Sequence, residues 1–396
     1  MRIRHLFLLL LPLAGAVPAL ADNSHTGVVS IDADRNLTSV KVSGSPNELG
    51  SLAQRAFGAH GAYRLAAADA AYNLNFTLVG PAQVRVDITR GSTGQPVFSE
   101  TVGGTSSRNA LLRAADVAVT HTSKARRGFF AGKLAFISDR GAGMEIMTSD
   151  LFGGEVVDQP GVSRQILSPR WSPDGRKLIF TSYRSGFPDI FVLDLATRQL
   201  RLLVSVQGTN TGGRFSPDGG RIAMVLSGEG NSEIYVSNTE GRMISRLTRN
   251  PAVKASPCWS PDGTRLVFTS EPGPQLYIMP AAAGAYPQRL TSSISRYCAE
   301  PDWCRWDPSK IAFTVAQGRG YQIAVYDFST GRAETVSQAP LDAIEPCWLA
   351  DGRHLIYTAR EANQRRLILF DTETRRATPV SPSALGKCSQ ASYWIQ

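Results

Sequence analysis

The chain is predicted to be mainly β, a six-bladed β-propeller of WD40-like repeats over 129–396 preceded by a small α+β domain over 22–128. Three observations predict it. Aromatic residues return at Trp171, Phe215, Trp259, Trp303 and Trp348, at steps of 44, 44, 44 and 45 residues, with a weaker echo at Ala391-Ser392. Three of them lead directly into the turn phrase Ser-Pro-Asp-Gly. The chain also enters this repeat part-way through a period and leaves it just past the start of one. A period of 40–50 residues carrying one aromatic and one turn is the mark of four-stranded blades set around an axis.

The first 21 residues lie outside the fold. Arg2, Arg4 and His5 form a basic start, Leu6 to Val17 an apolar run, and Ala19-Leu20-Ala21 a small-residue cleavage site, so the mature chain is expected to start at Asp22 after export. The apolar run is shorter than the ~20 residues a membrane span needs. No cysteine stands beside the cleavage site to take a lipid.

The small domain follows. Val28 to Ile31 and Val40 to Val42 read as extended, and Asn47 to Leu65 as a helix with Leu49, Leu52, Ala53 and Phe57 at helical spacing. Asn73 to Val79 alternates like a strand, and Val84 to Thr89 and Pro96 to Val102 form a hairpin about Gly91 to Gly94. Ser107 is expected to cap a final helix from Asn109 to about Lys124, and 124–128 is the linker.

Each repeat then reads as four strands. The first ends in the anchor aromatic and its turn, where Pro presets φ, Asp bonds back to the backbone and Gly accepts positive φ. The second starts basic and turns apolar, as in Lys177-Leu178-Ile179-Phe180 and Arg265-Leu266-Val267-Phe268. The third is apolar, as in Ile190 to Asp194, and the fourth is short and polar, as in Ser245 to Thr248. Because entry is at the second strand, Lys133, and exit at a first strand, Ala391 to Gln396, the two ends are expected to share one blade and close a ring of six.

Composition excludes several function classes. The formal charge of +9 falls to +7 without Arg2 and Arg4, and the basic residues are spread once or twice per blade as a solvated rim. That pattern, in an exported chain, speaks against nucleic acid and allows a modest attraction to anionic partners. The five cysteines, Cys258, Cys298, Cys304, Cys347 and Cys388, are odd in number and match no zinc spacing; small buried residues are the default reading, and export would permit pairing. The mature histidines are His25, His60, His121 and His354, with no Gly-x-Ser-x-Gly nucleophile turn. His354 takes the place of Lys or Arg in the other blades and reads as a rim residue. No catalytic residue, cofactor or metal is expected.

The informative positions are those where the repeat varies. Three residues before the anchors stand Ser168, Gly212, Ser256, Glu300 and Glu345, which should ring one mouth of the channel, two adjacent carboxylates facing small residues. The bland alternative is that Glu300 and Glu345 merely bond neighbouring turns or solvent.

An export signal, a small α+β domain, a Gly-containing linker and six Trp-Ser-Pro-Asp-Gly-type repeats closed by a C-terminal strand together resemble the TolB family, periplasmic components of the Tol-Pal system. The resemblance covers Arg127 to Gln396 and, in the small domain, Asn73 to Phe130. It implies a monomeric, non-enzymatic scaffold. Its propeller mouth would bind a Pal-like peptidoglycan-associated lipoprotein, and its mature N-terminal segment would add as a strand to a TolA-like inner-membrane protein. Such a protein serves outer-membrane integrity and constriction at cell division. Carried over by position, the lipoprotein-contacting residues are Thr209, Gly212, Ala255, Ser256, Glu300 and Glu345, with Thr209 and Ser256 standing where the family pattern has a His and a Glu. Two other functions compete: an exported propeller binding a glycan or other small ligand in its channel, and a propeller accessory of a peptidase. The second needs a hydrolase domain of ~200 residues that is not seen here.

Overall fold

The structure, a computed structural model, describes residues 37–141, 143–159 and 165–396. The expected signal peptide, the mature start at Asp22, the strand at Val28–Ile31 and the N-terminal segment assigned to a TolA-like partner lie outside the described residues. Six four-stranded sheets stand in sequence order, and a five-stranded sheet precedes them. We number the blades from the one that contains Lys133. Blade 1 takes its inner strand, Lys387–Trp394, from the end of the chain, and pairs it antiparallel with Lys133–Asp139, Trp394 opposite Lys133 and Cys388 opposite Ser138. Blades 2 to 6 begin with the inner strands Ile166–Trp171, Asn210–Phe215, Lys254–Trp259, Cys298–Trp303 and Asp342–Trp348. The predicted ring closure and blade number hold.

Three of the anchors are indoles that do the same job, whereas Trp303 Nε1 donates to Pro308 O in its own blade. Trp259 Nε1 donates to Arg214 O, Trp348 Nε1 to Asp302 O and Trp171 Nε1 to Ser392 O, each at 3.0 Å. In each case the acceptor is the residue before the anchor in the preceding blade, so a buried or half-buried aromatic satisfies a neighbour's carbonyl while filling the space between two sheets. The anchor of blade 1 is Tyr393, opposite Leu134 as Trp171 is opposite Leu178, not the Ala391-Ser392 echo. Its hydroxyl donates to Phe129 O at 2.8 Å. It stands 45 residues beyond Trp348, but no turn phrase follows to advertise it.

In the small domain β1 (Thr38–Ser45), β2 (Tyr63–Leu65), β3 (Tyr72–Gly80), β4 (Gln83–Arg90) and β5 (Pro96–Gly103) lie in the order β2-β1-β3-β4-β5. Helices α1 (Asn47–Ala59) and α2 (Ser107–Thr122) turn Leu52, Phe57, Leu111 and Val119 into its core. The helix expected through Leu65 stops at Ala59, because Tyr63–Leu65 pairs in parallel with Thr38–Val40. The cap of α2 is Ser106 rather than Ser107: its hydroxyl accepts from Asn109 N at 3.0 Å.

One hydrophobic core runs from this domain into blades 1 and 6, through Phe57, Phe129, Phe130, Phe152, Leu349 and Tyr393. The segment joining α2 to blade 1 is clamped by Asp116, which accepts from Phe130 N and Ala131 N at 2.6 and 3.0 Å. Burial, offset in part by those bonds, lifts the Asp116 carboxyl to about 7. The joint also corrects the reading of His354, which is fully buried, not on the rim. Its Nδ1 bonds Asp351 Oδ2 at 2.6 Å, its Nε2 accepts from Gly61 N at 3.3 Å, and its ring meets that of His60 at 4.5 Å. Burial pushes the Asp351 carboxyl up, but His354 and His60 together more than reverse it, so the net shift is downward. His60, Asp351 and His354 offer ligand atoms within 4.8 Å of one another. With both His354 nitrogens engaged in hydrogen bonds, the group reads as the polar centre of a joint rather than as a metal-ligating set. The small domain therefore docks on the hairpin end of blades 1 and 6, where the inner strands finish.

Candidate partner-binding site at the channel mouth

At the other end, where the inner strands begin, every blade carries the same backbone device. Ser168, Ser256, Glu300, Glu345 and Gln390 hold φ of 52°, 51°, 55°, 58° and 56°, and Gly212 holds 67°. Each sits in a β-bulge, as where Ser168 and Pro169 together face Phe180 between the pairs Leu167–Thr181 and Arg170–Ile179. Left-handed backbone at a non-glycine residue costs about 1–2 kcal/mol. A conformation repeated six times is a property of the fold; what varies is the side chain it presents.

In ring order the residues are Gln390, Ser168, Gly212, Ser256, Glu300 and Glu345, and all six line one small cavity of about 90 Å³. Of the expected site residues, Gly212, Ser256, Glu300 and Glu345 meet there. Thr209 and Ala255 do not line it: Thr209 N donates to Ser227 Oγ at 2.7 Å, and Ala255 pairs with Thr269.

The two glutamates are bonded into the wall. Glu300 Oε2 accepts from Thr314 Oγ1 at 2.8 Å and from Glu345 N of the next blade at 3.1 Å. Glu345 Oε2 accepts from Thr358 Oγ1 at 2.8 Å and from Gln390 N at 3.1 Å. Gln390 Oε1 accepts from Ser168 N. Three consecutive side chains thus lace four blades together around half of the ring. Burial first, and the Glu345 charge second, raise the Glu300 carboxyl to about 7.

One layer deeper lie residues that sequence reasoning missed, those immediately before each anchor: Arg170, Arg214, Cys258, Asp302, Cys347 and Ser392. Arg214 of blade 3 reaches Asp302 of blade 5 in an ion pair, and Asp302 Oδ2 accepts from Trp348 N at 2.8 Å. Arg170 makes no ion pair among the described residues and donates to Pro169 O and Ala391 O at 3.2 and 3.3 Å. Cys258 Sγ accepts from Trp303 N at 3.2 Å. Burial pushes the Cys347 thiol up to about 12, and all five cysteines are buried and unpaired. The signal for this layer was available: it varies from blade to blade inside a strict repeat, as the mouth does.

A family model described as the TolB beta propeller domain matches residues 122–394, well over half of the chain. Curated relatives named "Tol-Pal system protein TolB" include one from Syntrophus aciditrophicus, 35% identical over 126 residues, and one from Roseobacter denitrificans, 36% identical over 86 residues. Those stretches cover 31% and 21% of this chain and span only 27% and 19% of the relatives' own lengths. The crystal structure of TolB from Acinetobacter baumannii superposes with a TM-score of 0.80 over 90% of this chain and 96% of that one, at 23% identity, a likeness of fold. Repeat, ring closure and family match agree, and the chain belongs to the TolB beta-propeller family.

Proposed function

We propose that the chain is a non-enzymatic periplasmic adaptor of a Tol-Pal-type system, exported by a signal peptide cleaved after Ala21. Its channel mouth takes a Pal-like peptidoglycan-associated lipoprotein of the outer membrane, and its N-terminal segment a TolA-like inner-membrane protein. In that role it supports outer-membrane integrity and constriction during division. The observation that carries this reading is the mouth itself: six ring positions that share a left-handed backbone and differ in side chain, at the end of the propeller away from the docked small domain. Among the described residues no helix is long and apolar enough to cross a membrane.

The cavity of about 90 Å³ is far below the ~300–1,000 Å³ of small-ligand sites, which weighs against a sugar held in the channel. A docking loop needs only to present one or two side chains to it. Replacing the glutamates by Arg would be a poor test, because their carboxylates join blades. Ser256→Trp is better: among the described residues the Ser256 side chain joins no two blades, and its backbone already carries a side chain at φ 51°. Pulldown of a Pal-type lipoprotein is expected to fall at least 10-fold, with the melting temperature within about 2 °C of the parent. Undiminished capture would remove the mouth from this function.

A further inference from the structure

A second, larger cavity opens on the mouth face beside the ring, at the seam where the chain passes from blade 6 to blade 1. Its volume is about 660 Å³, within the ~300–1,000 Å³ of small-ligand sites. Arg365 and Arg366 begin the third strand of blade 6 and Lys387 begins the inner strand of blade 1, so all three stand at the end of the propeller where the ring lies. The crossing segment that forms one wall is pinned from both sides. The buried Ser138 hydroxyl donates to Leu385 O at 2.6 Å, and Ser381 Oγ accepts from Leu367 N at 3.0 Å. Gly386, at φ 70°, approaches the other wall so closely that a Cβ there would stand 2.4 Å from Asp139 O. The cleft is thus shaped by the fold before any ligand arrives.

Its charges do not cancel. Arg140, Arg365, Arg366 and Lys387 line it against a single carboxylate, Asp139. Arg140 is committed to ion pairs with Glu145 and Asp158. Arg366 Nε donates to Gln364 Oε1 at 2.9 Å, a neutral acceptor. Among the described residues the Arg365 and Lys387 side chains make no hydrogen bond or ion pair. Three exposed cations with no carboxylate bonded to them therefore share the wall with Asp139, whose Oδ1 accepts from Gly141 N at 2.9 Å. The excess is two positive charges, which repel one another until an anion enters. Guanidinium and ammonium groups offer only donors, and phosphate oxygens only accept. A phosphomonoester carries about −1.5 to −2 at neutral pH, which matches the excess; a single carboxylate would leave half of it.

We propose that this cleft binds the phosphate group of a phosphomonoester, with Arg365, Arg366 and Lys387 on its oxygens. The site is separate from the ring, and its ligand need not be the protein that docks at the mouth.

Calorimetric titration of the whole chain with glucose 6-phosphate, at pH 7.5 and low ionic strength, is expected to show saturable binding with a Kd of about 1 mM or tighter. Glucose itself should not bind. Arg365→Ala/Lys387→Ala, which removes two exposed side chains that hold nothing in place, should stay folded and bind about 10-fold more weakly or worse. Arg242→Ala/Arg249→Ala, an equal loss of exposed charge on blade 3, should bind as the parent does. Phosphatidylcholine vesicles with and without phosphatidate form a second arm. Co-sedimentation that needs both phosphatidate and the Arg365/Lys387 pair would support the cleft with the phosphate on a lipid headgroup; titration with glucose 6-phosphate alone would support it with a soluble ester. Absence of saturable binding in both arms, equal binding of glucose, or a loss as large in Arg242→Ala/Arg249→Ala overturns the proposal.

Discussion

The two halves of the mouth share a backbone and differ in what their side chains finish. From Glu300 through Glu345 to Gln390, each ring side chain reaches the N–H of the next blade. From Ser168 through Gly212 to Ser256, none is long enough to do so, and Thr181 and Thr269 are left with idle hydroxyls. The acidic half, conspicuous in the sequence, spends its carboxylates on joining blades, whereas no side chain of the plain half joins one blade to the next in this way. A charged residue on a concave surface is therefore no measure of where binding occurs until its own bonds have been traced.

The largest effect that would sharpen this contrast lies beneath the acidic half. Asp302→Ala strands the Arg214 guanidinium and removes the acceptor of Trp348 N. Losing one partner of a buried pair costs about 3–5 kcal/mol. Urea denaturation is expected to show a loss of that size; a loss under about 1 kcal/mol would mean the propeller does not depend on this link across its axis.

Next comes Thr314→Val, which keeps the shape of the side chain and deletes its hydroxyl. Valine is tolerated at this register, because Val225 occupies it in blade 3. What is lost is a hydrogen bond to a carboxylate, worth about 1.5–3 kcal/mol at pH 8, where Glu300 is ionised, together with the bond the hydroxyl accepts from Glu345 N at 3.2 Å. A stability equal to the parent's at that pH would show that the lacing in the acidic half carries no load.

Glu300→Gln should act in the opposite direction and with pH. A carboxyl raised to about 7 in the folded chain and near 4.5 when unfolded favours folding below about pH 4.5, and that contribution is lost as pH climbs through 7. Glutamine keeps an acceptor for Thr314 and Glu345 N, as Gln390 does for Ser168 N. The variant is expected to be about 1–2 kcal/mol more stable than the parent at pH 8, after discounting for partial exposure, and level with it near pH 4.5. A pH-independent difference would place the raised carboxyl elsewhere.

How far the residues alone led is explained by what repeats. The blade number, the closing strand and the mouth positions follow from period and phase, because every blade must satisfy the same turn and the same neighbour. Tyr393 escaped notice because the chain runs out before its turn, and Tyr63–Leu65 because a three-residue strand cannot outweigh the helical spacing just before it. His354 was misread as a rim residue since nothing in its own repeat announces that another domain will cover it. The Thr hydroxyls could not be read at all: whether Thr181 or Thr314 has a partner depends on a residue some 14 positions away on a bulge and on the N–H of the next blade.

The smallest expected effect decides the comparison most cleanly. Thr181→Val is the same substitution as Thr314→Val, at the same register and as deeply buried, 1% against 2% exposed. Surface area, volume and strand propensity change alike in the two variants, so their difference isolates the two bonds that one hydroxyl makes and the other does not. Since Thr181 Oγ1 has no acceptor or donor to lose, its removal should shift stability by no more than about 0.5 kcal/mol, and a slight gain is the natural sign, because a buried hydroxyl without a partner is itself costly. A loss matching that of Thr314→Val would mean that ordered water serves blade 2 as Glu300 serves blade 5. The two halves of the mouth would then differ in composition alone.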